Sequence, residues 1–155
     1  MNINHHVTHR PYLRLFIMAV ISFKLMYLLM YAMVDVWGNV FSNYNQFYMA
    51  GLMVSPMIIL ELVLMRPMYE NRKWNALIVV GCLLLLVLFW SGVRQQSAIN
   101  DEQFLKSMIP HHGAAILMCK QTSLEDPEIK ELCQNIISGQ QAEIDFMKAK
   151  LNSIK

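Results

Sequence analysis

The sequence predicts an all-α membrane protein: three transmembrane helices followed by a two-helix hairpin outside the bilayer. Three observations predict it. Long apolar stretches fill residues 1–93, charge gathers in residues 94–155, and apolar residues recur there at helical spacing. The 155 residues are 55% hydrophobic and 15% charged, where a soluble domain carries about 25% charged residues. A net charge of +2 is too small to argue for a nucleic-acid partner. The chain therefore reads as a membrane region, residues 1–93, and an extracytoplasmic tail, residues 94–155.

A helix needs roughly 20 mostly apolar residues to cross the hydrocarbon core. Spans are expected near residues 12–34, 46–65 and 74–93. The first contains one charge, Lys24, and the second contains Glu61. The third has none before Arg94. The first is too long for a signal-peptide core, and no small-residue cleavage site follows it. Arg10 and Arg14 precede the first span, and Arg66, Arg72 and Lys73 lie between the second and third. The loop at 35–45 carries no Lys or Arg. The N-terminus is therefore expected on the cytoplasmic side and the tail on the other, with Arg94 a lone counter-vote. The expected setting is a bacterial inner membrane with the tail in the periplasm. Trp37, Tyr44, Trp74 and Trp90 fall near span ends, where such rings favour the interface. Lys24 and Glu61 read at similar depth, as an ion pair, as snorkelling side chains, or as part of a transport path.

The chain has 13 methionines. Met26, Met30 and Met33 recur at i, i+4, i+7 in the first span, and Met49, Met53 and Met57 at i+4 steps in the second. In a hairpin of these spans they oppose one another as a thioether ladder. Two readings stand: helix packing, which Met serves well, and a soft-metal path suited to Cu(I).

In the tail, Asn100 or Asp101 can cap a helix that runs to about Ser123, with Glu102 in its first turn. Pro110 should kink it. Leu124 to Pro127 form the turn, Asp126 caps the next helix, and Pro127 suits its first position. That helix runs to about Leu151 with the apolar stripe Ile129, Leu132, Cys133, Ile136, Ile137, Ile144, Met147 and Leu151. Such a hairpin buries little surface alone and should find a partner: a second copy, giving a four-helix bundle, or a separate protein.

The chemistry sits in Met108-Ile109-Pro110-His111-His112, followed by Met118 and Cys119. Helical spacing gathers these on one side. A turn centred near residue 126 sets Cys119 opposite Cys133, His112 opposite Gln140, and Met108 opposite Ile144, near Met147. Imidazole with thioether suits copper, so His111, His112, Met108, Met118 and Met147 form the candidate metal set. Cys119 and Cys133 read as a disulfide, as additional soft ligands, or as small buried residues. Cys82 reads as packing. His5, His6 and His9 read as a disordered polar tail or a loose metal site. His-Glu-x-x-His, Glu-x-x-His, Cys-x-x-Cys, Gly-x-Ser-x-Gly and a phosphate-binding loop are all missing. The expectation is therefore a binder and not an enzyme.

The run from Asp101 to His112, with Ala115 to Met118, Asp126-Pro127-Glu128-Ile129, Gln140 to Ile144, and Met147, resembles the domain of unknown function 305 family over residues 100–151. The resemblance implies half of a ferritin-like four-helix bundle and a place among periplasmic copper-binding proteins. It implies copper ligands at Met108, His111, His112, Met118 and Met147. Family members often have Gln after the histidine pair, where this chain has Gly113. Many carry two hairpins in tandem, where this chain has one, which favours a homo-oligomer formed through the tail.

The reading is a membrane-anchored copper-binding protein of metal homeostasis or tolerance, with a copper donor or acceptor protein as a further partner. The alternatives are a structural or assembly subunit of a membrane complex that holds no metal, and a metal-ion transport component that uses the Met ladder.

Overall fold

A computed structural model describes residues 10–154; His5, His6 and His9 lie outside the described residues. Five α-helices follow one another: α1 Arg10–Leu29, α2 Tyr44–Leu64, α3 Arg72–Gln95, α4 Asp101–Gln121 and α5 Pro127–Ile154. Short 3-10 turns cover Met30–Met33, Trp37–Asn39 and Arg66–Met68. No strand occurs among the described residues.

The helix starts are chemically marked. Asn71 Oδ1 accepts from the Lys73 and Trp74 N–H groups, at 3.0 and 3.1 Å, at the start of α3. Asn100 Oδ1 accepts from Gln103 N–H at 2.9 Å and caps α4, with Asp101 and Glu102 facing the positive end of the helix dipole. Asp126 Oδ1 accepts from Glu128 and Ile129 N–H at 2.8 and 3.1 Å, and Pro127 opens α5 as expected.

Three helical stretches are long and apolar enough to cross a bilayer: Arg10–Met33, Tyr44–Leu64 and Arg72–Gln95. Only 6%, 28% and 11% of their apolar windows are buried. Side chains such as Phe16, Leu28, Leu84 and Leu88 stand more than half exposed. In water that surface would be strongly unfavourable, so the solvent these helices fit is lipid.

The described residues form two compact units. The first comprises residues 10–29 and 47–97. At one end Leu15, Leu62 and Tyr69 are buried together, with Tyr12, Ile58 and Ile78 against them. The Tyr12 hydroxyl donates to Asn75 Oδ1 at 2.8 Å, and Asn75 Nδ2 donates to Tyr69 O at 2.8 Å. Elsewhere Phe47 makes edge contacts with Phe23 of α1 and Phe89 of α3, at 5.1 and 5.9 Å between ring centres. No ion pair joins Lys24 to Glu61 among the described residues, contrary to one reading of the sequence. Glu61 is close to the end of α2 and accepts from the Tyr69 hydroxyl at 3.5 Å, while Lys24 is exposed on α1. Burial, and after it the Glu61 carboxylate, push the Tyr69 phenol above its ordinary value.

The second unit comprises residues 30–46 and 98–154. The sequence reading gave residues 30–46 to the membrane region; the structure groups them with the helix pair. A loop after a first crossing and a tail after a third emerge on the same side, so this grouping fits three crossings. Its core is Leu105, Ile109, Ile116, Ile144, Met147 and Leu151, with Phe41 of the loop and Met108 packed against it. Ile109, Ile116 and Ile144 are fully buried, each contributing about 1.5–3 kcal/mol of apolar burial. The apolar stripe of α5 divides: its C-terminal half is core, whereas Ile129 and Leu132 near the turn are exposed.

α4 continues through Pro110 without interruption. Proline lacks an N–H, which leaves the Lys106 carbonyl without its helical partner. Asn43 Nδ2, from the loop, reaches that carbonyl at 3.4 Å. The same Asn43 caps α2, its Oδ1 accepting from Gln46 N–H at 2.9 Å.

Candidate metal site

His112 is nearly buried on α4. Its Nδ1 lies 3.0 Å from the Met108 carbonyl oxygen, one turn back. Its Nε2 lies 2.6 Å from Glu143 Oε2 on α5. Both neighbours are acceptors. An imidazolium donates to both at once, and a neutral ring donates to one of them. Nδ1 thus lies against the backbone and Nε2 against a carboxylate. A ring anchored in this way is the usual arrangement for ligating a metal through the opposite nitrogen.

The pairing arithmetic differs from the sequence reading. His112 faces Glu143, not Gln140, nearly one turn further along α5. The Cys119 and Cys133 pair fits a turn centred at 126, but the His112 rung is displaced by three residues, which is the step between successive positions on one helix face. Glu143 was therefore missed as a site residue. Its signal was present: Glu143 and Met147 are an i, i+4 pair, as are Met108 and His112. The next turn of the pair carries Met108 and Met147 in the shared core.

The five expected ligands separate into two groups. His112, Met108 and Met147 point inward. His111 is exposed and touches His112 edge-on, with ring centres 6.1 Å apart. Met118 is also exposed, at 52%. Cys119 and Cys133 form a disulfide with Cα atoms 5.3 Å apart. Neither is then a thiolate, so the reading of them as additional metal ligands fails in this state. Cys82 is buried and free.

Of the membrane methionines, Met49 and Met53 of α2 and Met33 are exposed, while Met26, Met30 and Met57 are half-buried. Met30 and Met33 lie in a 3-10 turn and not on the α-helix, so the expected i, i+4, i+7 face ends at Leu29.

Gly113 follows the histidine pair and is buried. A Cβ there would stand 2.5 Å from Asp35 Oδ1 and 3.4 Å from Asn39 Nδ2. The absent side chain is what lets the loop lie against α4 beside His112. Asn39 Nδ2 donates to Asp35 Oδ1 at 2.7 Å, and Asn39 itself is almost wholly buried.

Among the described residues, no three His, Cys, Asp or Glu side chains are grouped to hold a metal. The donors at hand are the His112 imidazole and the Glu143 carboxylate, with the Met108 and Met147 thioethers one turn away. Nitrogen and oxygen suit Cu(II), and thioether suits Cu(I), so the residues present fit copper chemistry.

Comparison with known proteins agrees with the tail's motifs. The family model described as "Domain of unknown function (DUF305)" matches residues 93–151. A protein described as "Uncharacterized protein L153", from Acanthamoeba polyphaga mimivirus, is 34% identical over 145 residues. The match covers 90% of this chain and 91% of that one, so the likeness extends through the apolar helices. No solved structure matches. The chain belongs to the domain of unknown function 305 family.

Proposed function

We propose that this is a membrane-anchored copper-binding protein of metal homeostasis or tolerance, which holds copper in its tail and performs no catalysis. The observation that carries the reading is the His112 ring, fixed at Nδ1 by Met108 O and facing the Glu143 carboxylate at Nε2. The His112 imidazole, the Glu143 carboxylate and the Met108 and Met147 sulfurs would hold the copper, nitrogen and oxygen suiting Cu(II) and sulfur Cu(I). His111 and Met118, both exposed, serve entry and exit. The tail faces away from the cytoplasm, in a bacterium into the periplasm. The loop charges support that side, and so does the Cys119–Cys133 disulfide, a bond typical of oxidising compartments.

X-ray absorption of the copper-loaded full chain tests this. Nitrogen or oxygen and sulfur neighbours are expected together, with the imidazole signal lost in His112→Ala. A chain that is folded yet releases all its copper on desalting would remove the proposal.

A second reading has its own observation. Met118, Ile129 and Leu132 are exposed near the turn of the hairpin, as expected of an assembly subunit or of pairing between two tails. Full function of His111→Ala/His112→Ala together with one stoichiometric partner would favour it.

A further inference from the structure

A groove of about 270 Å³ lies among α1, α2 and α3. Ala19 and Lys24 line it from α1, Gly51 and Ser55 from α2, and Phe89 from α3. The lining is otherwise apolar, and Lys24 is its one charged residue. Gly51 and Ser55 are one turn apart and buried, and a Cβ on Gly51 would overlap the Phe89 ring. Ser55 returns its hydroxyl proton to the Gly51 carbonyl at 2.7 Å, so the floor is narrow and internally satisfied.

Lys24 stands ten residues after Arg14 and eleven before Asp35. At 1.5 Å per residue it is about 15 Å along α1 from Arg14, close to the midplane of a core about 30 Å thick. Lipid headgroups lie at the edge of that core. Ionisable groups at such depth pair with an opposite charge or face a polar path. Among the described residues no carboxylate pairs with Lys24. Glu61 is three residues from the end of α2 and receives the Tyr69 hydroxyl, and Glu70 lies in the loop before α3. A second copy of this chain therefore brings no carboxylate to that level.

We propose that the groove receives a transmembrane helix of a different protein, one that carries an Asp or Glu near the middle of its span. Phe89 already fills the space over Gly51, so the partner helix lies along the exposed Lys24 side of the groove, and its carboxylate meets Lys24 where water does not compete. This inference is independent of the metal site.

The test uses the full chain in phosphatidylcholine vesicles, with a fluorescent leucine-rich single-span peptide carrying one central Glu. Energy transfer should report association at least about tenfold stronger than for the peptide with central Gln. Lys24→Leu should reduce it to the Gln level, and Lys24→Glu should restore it for a peptide with central Lys. Equal association of the Glu and Gln peptides would overturn the proposal, as would a Glu preference that survives Lys24→Leu. Lys24-dependent retention of acidic lipid without peptide selectivity would also overturn it and give the groove to lipid.

Discussion

At His112 one ring nitrogen is fixed by the chain itself and the other faces a carboxylate that is free to turn. Glu143 has 63% of its side chain exposed, so its contact with His112 adds little to stability, about 0–1 kcal/mol. Its value to the proposed metal site is larger, because there it is itself a ligand, and losing even an outer-shell partner of a metal site costs about 10- to 100-fold in affinity. Glu143→Gln should therefore weaken copper binding by about that factor while the thermal midpoint stays nearly unchanged. Calorimetry read beside a thermal melt checks both. His111→Ala should weaken binding far less than His112→Ala, because His111 is exposed and outside the inner group. Equal losses would move the site outward to His111 and Met118. His112 itself was legible from the Met-Ile-Pro-His-His run. Its partner was not, because a turn position uncertain by one or two residues changes which residue lies opposite.

The helix pair shows what spacing conveys and what it omits. Helix starts were readable from Asn100, Asp126 and Pro127, since caps act locally. The Cys119–Cys133 rung was readable as one of three alternatives, and the structure shows the disulfide. It closes a loop of 14 residues' separation, and removing it with Cys119→Ser/Cys133→Ser should cost about 3 kcal/mol by chain entropy. Denaturant unfolding of the full chain measures this, and no change would mean that the hairpin is held by its core alone. The docking of residues 30–46 on α4 was not legible. It depends on two long-range gaps: the carbonyl freed by Pro110 and the notch at Gly113. Gly113→Ala should displace Asp35 and destabilise the unit despite alanine's better helix propensity. Combining it with Asp35→Ala should recover part of the loss, with a coupling of about 0.5–3 kcal/mol in a double-mutant cycle.

For the whole molecule, the number of crossings decides which segments share a compartment. Three apolar helices were readable from length and composition alone, because lipid demands little more of a sequence. The joining of loop and tail into one unit adds that both emerge on one side. Cysteines placed by Ser42→Cys and Ser153→Cys should react with a membrane-impermeant reagent from the same side, and one placed by Glu70→Cys only from the other. Opposite labelling of Ser42→Cys and Ser153→Cys would contradict the three-span topology. The unit also contains residues far from the tail in sequence, so the proposed metal binding is to be measured on the full chain and not on a fragment beginning at residue 94.

The most direct measurement is a copper competition titration of the purified full chain, under reducing and then oxidising conditions, beside His112→Ala. A copper site built on His112 predicts tight, stoichiometric binding that the variant loses by at least about 100-fold while it remains folded. A folded parent chain that takes up no copper in either oxidation state would contradict it and leave the His112–Glu143 pair as a structural contact.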